Sequence, residues 1–271
     1  MNGKAIYQPK PAAAEYAKFI CQFYYGCTCG CEYCCNKRWK WGPPKLKTCF
    51  KDEEHALQVF DKELQANLPE LQKHGLFFCI STDPMLKETI TISLNATKIC
   101  INNDVPVKIL TKNAKWVNEW VEFINSKDIS SFFFRKMSKK YIAFGFTLTG
   151  HDSKEPNVST NAERIEAIRK LHKAGFKTWA SIEPVISIPE SINMVQLTRD
   201  FCDLYKVGLL SGKRYDRDNL NYLIQKINHY SERGINAKIY FKDELLKQAG
   251  INRKDLPSNC VSRDYNMFEI K

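Results

Sequence analysis

Apolar strand segments and amphipathic helix segments alternate six times along this 271-residue chain, and that alternation restricts the fold more than any other feature. Strands separated by helices return in the same direction and pair in parallel. Right-handed repetition of that unit closes a sheet into a barrel or part of one. Strand segments are read at 17–25 (AKFICQFYY), 76–81 (LFFCIS), 107–111 (VKILT), 142–149 (IAFGFTLT), 178–186 and 205–210. Helices fill 52–73, 86–101, 114–124, 161–174, 191–204 and 219–232. The first helix carries Ala56, Val59, Phe60, Leu64 and Leu68 at three- and four-residue spacing, and Gly75 ends it. A last strand at 237–241 leads to a helix ending at Ala249. Residues 125–140 have no clear period; Phe132-Phe133-Phe134 fits a buried loop or a short helix. The expected organisation is an N-terminal extension (1–16), a partial (β/α)6 barrel (17–234) and a C-terminal strand–helix extension (235–271).

In such barrels, sites gather where the strands end. The loop after the first strand holds Cys27, Cys29, Cys31, Cys34 and Cys35, five of 11 cysteines. Clustered cysteines in a reducing compartment point to metal rather than disulfides. Cys27, Cys31 and Cys34 make a C-x3-C-x2-C spacing with Tyr33 just before the third. Thiolates are soft ligands that suit iron–sulfur clusters or zinc. Structural zinc sites join two C-x2–4-C pairs, and no second pair exists; Cys49, Cys79, Cys100, Cys202 and Cys260 stand apart. Three thiolates on one loop hold three irons of a [4Fe–4S] cubane and leave the fourth open to a small molecule. Ser81, Lys112, Thr149 and Glu183 fall at later strand ends on the same side of the barrel.

The cysteine loop resembles the signature of the radical S-adenosylmethionine (SAM) enzymes, and the strand ends resemble their spore photoproduct lyase-like branch, often labelled DNA repair photolyase-like. The segments carrying the second resemblance are Ser81-Thr82-Asp83-Pro84 and Ser181-Ile182-Glu183-Pro184. The resemblance implies a partial barrel binding a [4Fe–4S] cluster and SAM. It implies reductive cleavage of SAM, which starts radical chemistry on a substrate. By the same resemblance Ser81 and Asp83 meet the SAM amino group, Lys112 its carboxylate, Thr147 or Thr149 the ribose, and Tyr33 lies near the adenine. Glu183 supports SAM or substrate. Cys79 stands where the lyase carries a hydrogen-donor cysteine, and it shares a strand face with Ser81. Each has a plainer reading: a helix-capping turn for Ser81 and Asp83, a surface lysine, β-propensity for the threonines, a buried ion pair for Glu183, packing for Cys79.

The net charge of +11 suits either polyanion binding or a lysine-biased solubilising surface, and together with the lyase resemblance it makes nucleic acid the leading expected substrate, with a nucleobase or a peptide left open. Arg38, Trp39 and Trp41 can stack on bases or flap over the barrel mouth. A reductase or flavodoxin-type electron donor is implied. No apolar run is long enough for a membrane span, and the start of the chain is too polar for a signal peptide, so the expected location is the cytoplasm. Oligomeric state is open. The rival reading is a non-catalytic iron–sulfur or zinc module that binds nucleic acid; it has no use for polar residues ringing a barrel mouth.

Overall fold

The computed structural model describes residues 3–38, 45–78, 80–126 and 132–268. Its strands are β1 (Ile6–Tyr7), β2 (Ile20–Cys21), β3 (Tyr24–Tyr25), β4 (Lys47–Thr48), β5 (Leu76–Phe78), β6 (Val107–Thr111), β7 (Ile142–Thr147), β8 (Lys177–Val185), β9 (Leu204–Leu209) and β10 (Lys238–Phe241). Its helices are α1 (Pro11–Ala14), α2 (Glu53–Ala66), α3 (Leu68–His74), α4 (Ile90–Asn102), α5 (Val117–Asn125), α6 (Phe132–Tyr141), α7 (Asn161–Lys173), α8 (Ile188–Thr198), α9 (Arg217–Glu232) and α10 (Asp243–Ala249).

One sheet runs β1-β2-β5-β6-β7-β8-β9-β10, with β1 antiparallel to β2 and every later neighbour parallel. The order follows the chain and the first and last strands do not pair, so the barrel is partial, as the alternation predicts. Among the described residues no helix is long and apolar enough to cross a membrane.

Two apolar cores follow from strand parity. Residues such as Ile109, Phe144, Ala180, Val207 and Phe241 face the helices in one large cluster. Ile20, Phe77, Ala143, Trp179 and Leu204 fill the inside of the barrel. Gly145 is required there, because a Cβ on it would lie 2.1 Å from Trp179 Cε2.

Several predicted boundaries move. The strand read at 17–25 divides: Ile20–Cys21 joins the barrel, while Tyr24–Tyr25 leaves it to pair with Lys47–Thr48. The helix read at 52–73 breaks at Asn67, since Pro69 in the first turn of α3 cannot donate a backbone hydrogen bond. The helix read at 191–204 starts earlier, with Pro189 in its first turn, and ends at Thr198. Part of the unassigned stretch 125–140 is helix α6. Residues 1–16 do more than extend the chain. Ile6–Tyr7 adds an edge strand, and the Tyr16 ring stacks on Phe77 at 5.2 Å inside the barrel.

Candidate active site

The cysteine loop leaves β3 through Gly26 and is held from two sides. Thr82, just beyond β5, donates its hydroxyl to the carbonyls of Gly26 and Tyr24. The segment after β7 grips the other edge. Glu32 N–H donates to the Lys154 carbonyl at 2.9 Å, and its carboxylate pairs with Lys154 Nζ at 2.8 Å. Asn157 Nδ2 donates to the Thr28 carbonyl at 3.1 Å. The approach is close enough that a Cβ on Gly30 would sit 2.9 Å from Asn157 Nδ2, and Gly30 has φ +70.

A cavity of about 350 Å³ opens beside this loop, at the ends of β5 to β9. That size suits a small-molecule ligand. Nine of the residues singled out from sequence line it. Cys27, Cys31, Cys34 and Tyr33 form one wall, with Cys29 among them. Ser81, Asp83 and Lys112 form a second, and Thr147 and Glu183 reach it from β7 and β8. Thr149 does not line it. Its strand ends at Thr147, and the fully buried Thr149 hydroxyl donates to Glu155 Oε2 at 3.1 Å. Cys79, Trp39 and Trp41 lie outside the described residues, as does the Arg38 side chain.

Hydrogen bonding separates these side chains into two kinds. The buried Asp83 carboxylate is already engaged. Oδ1 accepts from Thr111 Oγ1 at 2.6 Å and Met85 N–H at 2.9 Å, and Oδ2 accepts from Lys112 N–H at 2.7 Å. It ties the end of β5 to the end of β6. Ser81 Oγ is the opposite case, a buried hydroxyl in a cavity-lining position with no hydrogen-bond partner among the described residues. Buried polar atoms rarely stay unpaired without a reason.

Lys112 is a half-buried cation whose Nζ lies 5.6 Å from the Tyr33 ring centroid. Burial works to lower its pKa, but Cys31, Glu155, Cys29 and Asp83 outweigh it and hold the ammonium above its ordinary value. The Cys27 thiol is brought down to about 7, chiefly by a hydrogen bond from the Cys29 thiol and against the effect of burial. Burial pushes Cys31 up. Among the described residues no three His, Cys, Asp or Glu side chains already surround a single point as ligands to one metal ion. A cubane asks for something different, one thiolate per iron on a shared wall. Soft thiols, a neighbouring lysine and an unpaired hydroxyl form a donor set that fits a cluster with a zwitterionic ligand beside it.

Glu183 is anchored from below. Lys242 Nζ lies 2.6 Å from its Oε2 and 2.8 Å from its Oε1, and the Tyr16 hydroxyl donates to Oε2. The space for this pair is made by Gly208, where a Cβ would come 2.6 Å from Glu183 Cδ. Tyr16 and Lys242 were not legible as site residues, because both come from segments read as extensions. Glu155 and Arg164 were also missed. They form a fully buried ion pair at 2.5 Å, and the Tyr33 hydroxyl donates to the same Glu155.

No family model matches the chain. An uncharacterized protein of Methanocaldococcus jannaschii is 26% identical over an alignment of 271 residues covering 91% of this chain and 90% of that protein. Among solved structures, a spore photoproduct lyase variant with bound AdoMet and dinucleoside spore photoproduct matches with TM-score 0.59 and 16% identity, over 86% of this chain and 65% of that one. The chain thus spans just under two thirds of that lyase. Another lyase variant matches with TM-score 0.63 and 14% identity, over 89% and 80% of the two chains. SuiB of Streptococcus suis, bound to S-adenosylmethionine, matches with TM-score 0.57 and 16% identity, over 84% and 51%. The resemblance read from the sequence therefore holds in the fold: the chain has the mostly parallel, partial α/β barrel seen in spore photoproduct lyase and in SuiB.

Proposed function

We propose that this protein is a radical SAM enzyme in which Cys27, Cys31 and Cys34 hold a [4Fe–4S] cluster and the adjoining cavity holds SAM. One observation carries the reading: three thiols, a lysine ammonium and an unpaired buried hydroxyl share a single cavity at the strand ends. When bound, the cluster and SAM supply one-electron cleavage to methionine and a 5′-deoxyadenosyl radical. The chain's own side chains bind and orient. Lys112 offers a charge-assisted bond to the SAM carboxylate. Ser81 Oγ is a free acceptor for the SAM amino group, whereas Asp83 contributes chiefly by fixing the β5 and β6 ends around it. Thr147 faces the cavity as a ribose partner, and Tyr33 packs at the cluster edge. Glu183, paired with Lys242, reaches the cavity as an acceptor for SAM or substrate. Cys79 remains the proposed hydrogen donor by its place in the sequence beside Ser81.

The fold's likeness to a lyase with bound dinucleoside spore photoproduct, together with the net charge of +11, supports nucleic acid or a nucleobase as the substrate class; a reductase or flavodoxin-type protein is the electron source this reading calls for. The test is anaerobic reconstitution, reduction with dithionite and mass spectrometry for 5′-deoxyadenosine, with Cys31→Ala as control. Deoxyadenosine that disappears in the variant supports the reading. A protein that takes up only zinc under those conditions overturns it and leaves the metal-binding module. Single-stranded DNA and RNA, added separately, should raise the deoxyadenosine yield; an unchanged yield removes nucleic acid as the substrate.

A further inference from the structure

We propose that the floor of the barrel, at the end opposite the cysteine loop, is a binding site for an oxyanion of the phosphate class. A second cavity, of about 190 Å³, lies there and is lined by Lys18, His74, Lys108, Arg263, Asp264 and Asn266, with three small or aromatic neighbours. Lys18 precedes β2, His74 precedes β5 and Lys108 stands near the start of β6, so the lining belongs to the N-terminal ends of the strands. The volume holds about six waters, ample room for a tetrahedral oxyanion that keeps some of its water.

Lys108 makes this cavity more than a polar dent. It points into the barrel from β6, and its Nζ donates to the Tyr16 carbonyl at 3.1 Å. Lys206, pointing in from β9, donates to the same carbonyl at 3.0 Å and to the Glu15 carbonyl at 2.8 Å. The two lysine nitrogens therefore share one neutral oxygen and lie no farther apart than the sum of those two distances. Among the described residues neither forms an ion pair. Glu15, the nearest acidic side chain in sequence, is committed elsewhere, accepting from the Tyr240 hydroxyl and the Asp243 N–H. Burial first, and then the neighbouring Lys108, hold the Lys206 pKa well below its ordinary value, so Lys206 sheds its charge and Lys108 is the cation of the two. Lys206 is sealed inside, but Lys108 opens on the cavity and is the group an entering anion would meet.

The outer wall favours the same ligand. Lys18 is held at the rim by Glu70 at 2.6 Å and lies 3.3 Å from His74 Nε2; Arg263 is held by Asp243 at 2.6 Å. Both cations are thus oriented before a ligand arrives, which lowers the ordering cost of binding. Asp264 is the one acidic side chain in the lining, against Lys18, Lys108 and Arg263. An anion here would link the N-terminal plug, through Tyr16, to the C-terminal segment around Arg263, and so would stabilise the fold by mass action.

The experiment uses the whole chain in phosphate-free buffer and follows the thermal midpoint on adding sodium phosphate or sodium chloride at matched ionic strength. Saturating phosphate should raise the midpoint by about 5 °C or more beyond chloride. Lys108→Met should lose that increment. Lys206→Met, which does not line the cavity, should keep it, and this separates lost binding from general loss of folding. Broadening of the inorganic phosphate ³¹P resonance by wild type but not by Lys108→Met gives a second readout. A parallel arm with glycerol 3-phosphate distinguishes the sources: a larger shift assigns the site to the head group of a phosphate ester, a smaller one to the free ion. No shift beyond chloride, or an equal shift in Lys108→Met, overturns the proposal.

Discussion

The Tyr33 phenol donates to the carboxylate of Glu155, a residue 122 positions later, and Glu155 is in turn paired with Arg164 inside the fold. The cysteine loop is therefore positioned by the segment after β7 as much as by its own turns. Arg164 completes the connection by donating to the Thr147 carbonyl at 2.6 Å and the Ser159 carbonyl at 2.8 Å. Burial first, then Glu155, holds the Tyr33 hydroxyl well above its ordinary pKa, so it stays a neutral donor.

Glu155→Leu strands a fully buried guanidinium. Breaking such a pair from one side costs about 3–5 kcal/mol, which urea denaturation of the variant should show. Adding Arg164→Met should recover only part of that loss: it removes the stranded charge but leaves the Ser159 and Thr147 carbonyls and the Tyr33 and Thr149 hydroxyls without these partners. Tyr33→Phe should cost only about 1 kcal/mol. If Glu155→Leu is as stable as wild type, the pair does not anchor the loop.

Ser81→Ala separates binding from folding. Among the described residues the hydroxyl has no partner, so its removal should leave stability unchanged or raise it slightly. The loss should appear in SAM affinity of the reconstituted protein, by about tenfold or more if the hydroxyl meets a charged group. Equilibrium dialysis against labelled SAM measures it. A variant that binds SAM as well as wild type would remove Ser81 from the SAM site.

The sequence announces the barrel because each strand and helix states its own period locally. Cys27, Cys31 and Cys34 stand out for the same reason: their spacing is complete within one short loop. What stays hidden depends on contacts made far along the chain. Nothing near Tyr16 says that it will reach Glu183, 167 positions away, and nothing near Glu155 says that it will meet Tyr33. Thr149 marks the limit of parity reasoning. Two residues beyond Thr147 shares its face only while the strand continues, and here the strand has ended.

Gly145→Ala tests the packing inside the barrel. The added methyl would enter the Trp179 indole, whose ring already packs on Phe77 with centroids 6.1 Å apart. Overpacking of this kind costs about 1–3 kcal/mol. Chemical denaturation should show a loss in that range or beyond, together with altered tryptophan fluorescence. A variant with wild-type stability would mean that the barrel interior has slack.

Lys108 makes the pH dependence of folding a sharp test of the barrel floor. Burial lowers its pKa from 10.5 to about 8. Above 10.5 the amine is neutral in both the folded and the unfolded chain, so it imposes no penalty. As pH falls from 10.5 towards 8, the unfolded chain takes up the proton first and stability drops; below 8 both states are protonated and the loss levels off. Stability should therefore rise from pH 8 to 10.5 in wild type by more than in Lys108→Met; the difference reports Lys108 together with its coupling to Lys206, whose pKa Lys108 also lowers. Urea titrations in phosphate-free buffer across that window measure it. Parallel curves for the two proteins would show that Lys108 is protonated normally in the folded chain. Saturating phosphate adds a second condition: an anion beside the ammonium favours its charged form and raises its pKa, so the wild-type slope between pH 8 and 10.5 should flatten while the Lys108→Met curve stays where it was.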